Sequence, residues 1–343
     1  MRIQSKLLSA IALSIVTAGI TITAVNAGNT RVDLGETSPN SIWVNQAALY
    51  PEGLEYDAQQ NRFLLSSVRE GSVYEVLADG TVNRFIQDNR LVSSTGIHVD
   101  TERDRLLVPN ADYGVSLRST PDTLDQMAAL GIYDLTTGEV ITYVDLAQLR
   151  PGEAHFANDV AVDAEGNAYV TDSLSPILYK VTPDGEASIF LESDRFVGNG
   201  FNLNGIVYHP DGYLIMAKKS EGVLFKVPID NPEAFSEIRV DRNFVGTDGL
   251  ILAVEKELLA ITNQAGETVS NTIFALRSED NWQSATVTDS YASEDDYPST
   301  GTIRDNNLYV IKGQLHIYTP ETTDLLQQFE IEQIGSIVNS SCS

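Results

Sequence analysis

The chain has 343 residues, of which 42% are hydrophobic and 24 are glycine, and it carries a formal net charge of −26. That length allows one large domain or two ordinary ones, and the glycine content suits a turn-rich β fold. So acidic a surface repels phosphate backbones and argues against a nucleic-acid partner, while the single cysteine, Cys342, rules out an intramolecular disulfide.

In chain order, Arg2 and Lys6 precede an apolar stretch from Leu7 to Thr23, followed by Ala24-Val25-Asn26-Ala27. A basic start, an apolar middle and small residues before a cut predict a secretory signal peptide over residues 1–27, and with it a secreted or periplasmic protein. The stretch is nearly long enough to span a bilayer, so an uncleaved anchor is the alternative. Cleavage after Ala27 removes two basic and no acidic residues, leaving 48 acidic and 20 basic side chains, a net −28. Residues 28–39 read as a flexible leader and 338–343 as a frayed tail. No segment after the first 27 residues approaches a membrane span, so the mature form is expected to have no membrane partner.

Residues 40–337 repeat themselves. The first unit begins near Tyr50 with GLEYDAQQNRFLLSS and the second at Thr95-Gly96 with GIHVDTERDRLLVPN. The third holds DVAVDAEGNAYVTD, the fourth GIVYHPDGYLIMAK, the fifth GLILAVEKELLAIT, and the sixth GTIRDNNLYVIK followed by LHIYTP and LLQQFEIEQI. Each unit offers about four alternating strands separated by turn residues, which is the pattern of a propeller blade. The expected fold is therefore all-β, a six-bladed β-propeller. Either Ser41–Asn45 or the C-terminal LLQQFEIEQI completes the last blade. Unit two carries an insertion, roughly Asp112 to Gly131, in which Thr123–Ala129 reads as a helical turn. That insertion can reach over the channel as a lid, with Tyr113 and Met127 shaping an apolar pocket.

Aligning the blades places Glu52, Thr95, Asn158, Asn204, Asp248 and Thr300 at the start of the innermost strands. The ends of the second strands align as Ser67, Asn110, Asp172, Lys218, Thr262 and Lys312, predicting a second polar ring at the same mouth. Glu52, Asn158, Asn204 and Asp248 all bear oxygens, and two carry charge. Such a set suits a hard divalent ion, calcium above all, while the lack of His or Cys at these positions disfavours zinc or copper.

These ordered motifs, Pro51-Glu52-Gly53, Asn158-Asp159, Asn204-Gly205 and Asp248-Gly249, resemble those of the regucalcin (senescence marker protein) and gluconolactonase family. Diisopropyl fluorophosphatase and the paraoxonases are similar in architecture. The resemblance spans roughly residues 45–337. It implies a metal-dependent hydrolase in which Glu52, Asn158, Asn204 and Asp248 bind the ion and Asp248 attacks the substrate or activates a water. Sugar-lactone hydrolases of this kind often carry an Arg two residues before the third-blade Asn, where this chain has Phe156. A less polar lactone or ester is the expected small-molecule substrate, with phosphotriester hydrolysis or a non-catalytic, calcium-stabilised binding propeller as alternatives. Asp172 and Lys218 are expected to contact substrate or pair with each other. His155 is a candidate base, and His98 is expected on an inner strand lining the channel. No G-x-S-x-G elbow supports serine-hydrolase chemistry, and the protein is expected to be a monomer.

Overall fold

In the computed structural model, which describes residues 30–35, 41–293 and 297–339, the strands form a ring of six blades around a central channel. The first blade comprises Pro51–Asp57, Arg62–Ser67, Ser72–Leu77 and Val82–Gln87. The second has its inner strand broken into Ser93–Ser94 and His98–Asp100, followed by Arg105–Ala111, Gln126–Asp134 and Val140–Asp145. The third, fourth and fifth blades begin with His155–Val162, Leu203–His209 and Thr247–Val254. The predicted signal peptide and Cys342 lie outside the described residues. Among those described, no helix is long and apolar enough to cross a membrane.

The alternation seen in the sequence is resolved by position in the blade. Second strands such as Arg62–Ser67 and Tyr213–Lys218 are buried on both faces, because each is covered by the neighbouring blades. Outermost strands such as Thr286–Ala292 alternate between exposed and half-buried residues. Apolar side chains fill each gap between blades. Leu178, Phe196, Leu214, Met216 and Phe225, for example, pack between blades three and four. Fully burying one such side chain contributes about 1.5–3 kcal/mol, so the six blade interfaces hold the ring together without a disulfide.

The sixth blade draws on both halves of the chain. Pro298–Arg304 and Asn307–Lys312 are its inner strands, and Phe329–Asn339 is its third. Two strands from early in the sequence lie in tandem along that third strand. Thr30–Leu34 pairs with residues 335–339 and Ile42–Val44 with Phe329–Ile331, both antiparallel. Both segments proposed to complete the last blade therefore do so.

Several expectations are corrected here. Residues 30–34 of the supposed flexible leader form a strand, anchored where the Leu34 amide donates to Asp289 Oδ2 at 2.8 Å and Arg277 Nη1 donates to the Thr30 carbonyl at 2.9 Å. Val338, assigned to the tail, pairs with Arg31. The LHIYTP segment supplies a short 3-10 turn, Leu315–Ile317, in place of a strand. The helical turn expected over Thr123–Ala129 is absent, since Gln126 onward is strand. Its Leu, Gln, Met and Ala are good helix formers, but tertiary pairing overrides that weak preference. Residues 128–134 pair with Arg105–Ala111, while Gln126 and Met127 run parallel to His155 and Phe156, joining blades two and three.

Candidate metal centre

The four oxygen-bearing motifs are explained by one backbone device. In five blades the pairing of the first two strands slips at the same place, so that two residues of the inner strand face one residue of its partner. The bulged pairs are Glu52-Gly53, Asn158-Asp159, Asn204-Gly205, Asp248-Gly249 and Ser299-Thr300. A β-bulge re-aims a side chain out of the strand's alternation, and in four of these pairs the first residue, Glu52, Asn158, Asn204 or Asp248, faces the channel mouth, while Ser299 Oγ donates to the Glu52 carbonyl. The inner strands crowd there. A Cβ on Gly205 would lie 2.3 Å from the Asp248 carbonyl oxygen, and one on Gly249 would lie 2.5 Å from Thr300 Oγ1, so these positions take glycine. Register also moves the sixth-blade ring position from Thr300, as aligned by sequence, to Ser299.

Glu52, Asn158, Asn204 and Asp248 all line one cavity of about 140 Å³ at the channel mouth. Its remaining walls include Val68, Tyr113, Phe156, Phe201, Lys219, Gln264, Tyr297 and Leu315. Phe156 and Phe201 meet edge-to-face with ring centroids 4.9 Å apart, and Tyr113 packs edge-on against both. Tyr113 thus takes its expected place from the insertion. Met127 does not: it borders a separate cleft beside His155.

Polar contacts in the cavity are unevenly distributed. Asp248 is fully engaged. Its Oδ1 accepts from Asn204 Nδ2 at 2.7 Å and from the Lys219 ammonium at 2.9 Å, and its Oδ2 accepts from Asn263 Nδ2. Lys219 Nζ also donates to Asn263 Oδ1 at 2.6 Å. Asn158 Nδ2 donates to Ser173 Oγ at 3.0 Å, but Asn158 Oδ1 is buried without a partner, and so is Glu52 Oε2. Leaving a buried acceptor unsatisfied costs about 1–3 kcal/mol. Burial, then the negative charges of Asp248 and Asp159, push the Glu52 carboxyl well above its usual range, against a smaller opposing effect from Lys219.

Two orphaned oxygens beside a carboxylate and a second amide suit a hard cation, which accepts carboxylate and amide oxygens at flexible distances. The residues present therefore fit a divalent ion held by Glu52, Asn158, Asn204 and Asp248. Among the described residues no group of three or more His, Cys, Asp or Glu side chains converges to hold a metal. The donor set here contains only two such residues and two amides.

The second predicted ring is not at the mouth. Asp172 Oδ1 accepts backbone amides of Phe156, Leu174 and Ser175 at 2.9, 3.0 and 2.9 Å, and its Oδ2 meets His155 Nδ1 at 2.8 Å and the Tyr179 hydroxyl at 2.9 Å. Lys218 Nζ donates to the carbonyls of Arg195 and Val197 and to Glu221 Oε1, at 3.0, 2.6 and 2.5 Å. Neither Asp172 nor Lys218 reaches the cavity, and the two do not pair with each other. The physical reason is the two-residue period of a strand: a one-residue slip turns a side chain to the opposite face. The residues that do reach the mouth stand one position later. Val68 and Lys219 line the cavity, while Ser173 and Asn263 bond to its Asn158 and Asp248.

His155, expected as a base, is instead a buried structural group. Its Nδ1 meets Asp172 and its Nε2 lies 2.8 Å from the Arg150 carbonyl, so both nitrogens donate, as in an imidazolium. Burial lowers its pKa, but the hydrogen bonds to Asp172 and Arg150 and the charges of Asp172 and Glu153 outweigh it, and the net direction is upward. Tyr179 completes the group facing the ring. A histidine with a raised folded pKa contributes stability that is full below the ordinary value near 6.5 and is lost as pH rises through the raised one. The melting temperature is therefore expected to fall between pH 6 and pH 9 by calorimetry. His155→Gln should lower stability at pH 6 and flatten that slope; an unchanged slope would contradict the assignment.

His98 does line the channel, below the ring of Glu52, Asn158, Asn204 and Asp248. Its Nδ1 lies 3.3 Å from Glu55 Oε1, and it borders a cavity of about 430 Å³ with Asp159. Burial raises Asp159 to about 7, against hydrogen bonds from the Val160 and Ile206 amides.

A scan against protein-family models finds no match, and a search of curated proteins finds none either. Solved structures do match. The Malassezia sympodialis allergen Mala s 1 superposes with a TM-score of 0.68 at 17% identity, over 88% of this chain and 97% of that one. A calcium-binding regucalcin from Agrobacterium tumefaciens gives 0.59 at 14% identity, covering 85% and 92%. A gluconolactonase from Xanthomonas campestris gives 0.58 at 15% identity, covering 89% and 94%. The chain has the fold of the regucalcin and gluconolactonase propellers. The propeller fold expected from the repeats is thus borne out, and each of these neighbours is matched over nearly its whole length.

Proposed function

We propose that this protein is a metal-dependent hydrolase, with calcium as the ion, acting on a small and largely apolar lactone or ester. The observation that carries this reading is the delivery of Glu52, Asn158, Asn204 and Asp248, from four blades, into one cavity in which two acceptor oxygens lack partners. When bound, a divalent ion supplies the positive charge that polarises a carbonyl and offsets the negative charge developing on attack.

The chain's own residues do the rest. Glu52, Asn158, Asn204 and Asp248 would hold the ion. Asp248 takes a proton from the water that adds to the carbonyl and returns it to the alkoxide released as the acyl C–O bond breaks, or it adds to the carbonyl itself, releasing the alcohol and leaving an acyl anhydride that water then hydrolyses. Tyr113, Phe156 and Phe201 form an apolar wall that excludes water and orients the substrate's carbon skeleton. Phe156 stands where the resemblance places an Arg that holds sugar hydroxyls, and it lines the cavity beside Tyr113 and Phe201. Named functions of the neighbours, a gluconolactonase and a luciferin-regenerating enzyme, are consistent with chemistry of this type on this fold. The same electrophilic assistance serves a phosphotriester. The composition of residues 1–27 supports export to the periplasm or exterior, and the reading is of a monomer with no nucleic-acid or membrane partner.

A second reading draws on one observation: Lys219 and two amides already satisfy Asp248. On that reading the propeller binds a ligand at its mouth without turning it over. A single experiment separates them. Protein stripped by chelator and resupplied with calcium is expected to regain hydrolysis of a panel of lactones, aryl esters and phosphotriesters. Calcium binding by calorimetry with no turnover across that panel would favour the binding module.

A further inference from the structure

Lys219 stands on a wall shared by two cavities. On one side is the mouth, where its ammonium touches Asp248 Oδ1 at 2.9 Å and Asn263 Oδ1 at 2.6 Å. On the other is an outer cleft of about 600 Å³, lined by Gly200, Phe201, Ser220, Glu221 and Gln264 among others. A divalent ion seated on Asp248 would lie within a few ångströms of this ammonium, and like charges so close in a buried site repel strongly. The unpaired oxygens, Glu52 Oε2 and Asn158 Oδ1, belong to other blades of the ring, whereas the Lys219 ammonium contacts Asp248 and Asn263.

We infer that Lys219 is a displaceable internal cation: it neutralises Asp248 when the metal is absent and swings into the outer cleft when the metal binds. This rests on the metal-dependent reading above. The cleft provides the destination, because at about 600 Å³ it has room for a hydrated ammonium, and Glu221, whose carboxylate accepts from Lys218 and Arg195, lines it. A lysine stem is long and flexible enough to move its head group between adjoining cavities while its backbone stays in place. That backbone is fixed on both sides, its amide donating to the Asn202 carbonyl at 2.8 Å and its carbonyl accepting from the Gly246 amide at 3.0 Å. The ammonium thus lowers the site's affinity for calcium while keeping the metal-free ring from collapsing around an unpaired carboxylate.

Calcium titration of the full chain by calorimetry tests this with two variants. Lys219→Gln keeps a hydrogen-bond donor without the charge, and Lys219→Arg keeps the charge. Lys219→Gln is expected to bind calcium at least about tenfold more tightly than wild type, with Lys219→Arg close to wild type. Binding by Lys219→Gln alone supports the inference still more strongly. Equal affinity in wild type and Lys219→Gln overturns it while leaving the metal reading intact. Calcium binding by none of the three removes the metal reading and this inference together. A second measurement needs no variant: amine acylation of wild type, mapped by peptide mass spectrometry, should rise several-fold at Lys219 on calcium addition and stay constant at buried Lys218. No rise at Lys219 under saturating calcium overturns the displacement.

Discussion

Asp248→Asn is expected to reduce calcium-dependent hydrolysis by at least about a thousandfold, the scale on which loss of a key electrostatic group acts in an active site. The substitution preserves size but removes the charge that both the ion and Lys219 require. It also places an amide donor where three donors now converge, from Asn204, Lys219 and Asn263. A stability loss of about 3 kcal/mol accompanies it, because breaking a buried ion pair leaves the other charge uncompensated. Pairing Asp248→Asn with Lys219→Gln should recover part of that loss, and a double-mutant cycle by chemical denaturation measures how much. A rate within a few-fold of wild type, with the fold intact by circular dichroism, would take Asp248 out of the mechanism.

Deleting residues 1–45 is expected to lower the melting temperature by at least about 10 °C or to yield insoluble protein. The deletion removes Val32, Leu34 and Val44, all buried, each contributing about 1.5–3 kcal/mol. It also strips the partner from Phe329–Asn339, an eleven-residue strand whose exposed edge would then be free to pair with other chains. Val44→Asp, which buries one charge in the same place, should give a smaller loss in the same direction. A truncated protein melting like wild type would mean that the sixth blade holds without these strands. Scanning calorimetry and light scattering read both effects.

The fold and the first ring were legible because each motif carries its own local signal. Asn204-Gly205 and Asp248-Gly249 pair a polar residue with the only residue type that tolerates the close approach of the next inner strand. Those pairs recur in step with the blades, so their phase could be counted. The second ring lacked such a marker. Lys218 and Lys219 are adjacent and chemically identical, and only strand register tells which one faces the axis. Lys218 ends its strand, but the mouth is served by Lys219. In the same way Asn263, one residue beyond Thr262, is the one that bonds to Asp248. Phe201 and Tyr297 come from connections between blades, whose course depends on tertiary packing and not on any period. His155 misled for a different reason: nearness in sequence to Asn158 does not survive alternation along a strand, and its ring turns into the blade toward Asp172.

The tandem seating of Thr30–Leu34 and Ile42–Val44 against Phe329–Asn339 also bears on kinetics. Contacts between neighbouring hairpins can form early, but this seam joins stretches separated by nearly the whole described chain. Closing so long a loop slows its formation, so completion of the circle is expected to come late in refolding, which stopped-flow refolding of the full chain would show as a slow phase missing from a chain lacking residues 1–45. Once made, the seam must rupture before any blade can peel away, and that raises the barrier to unfolding.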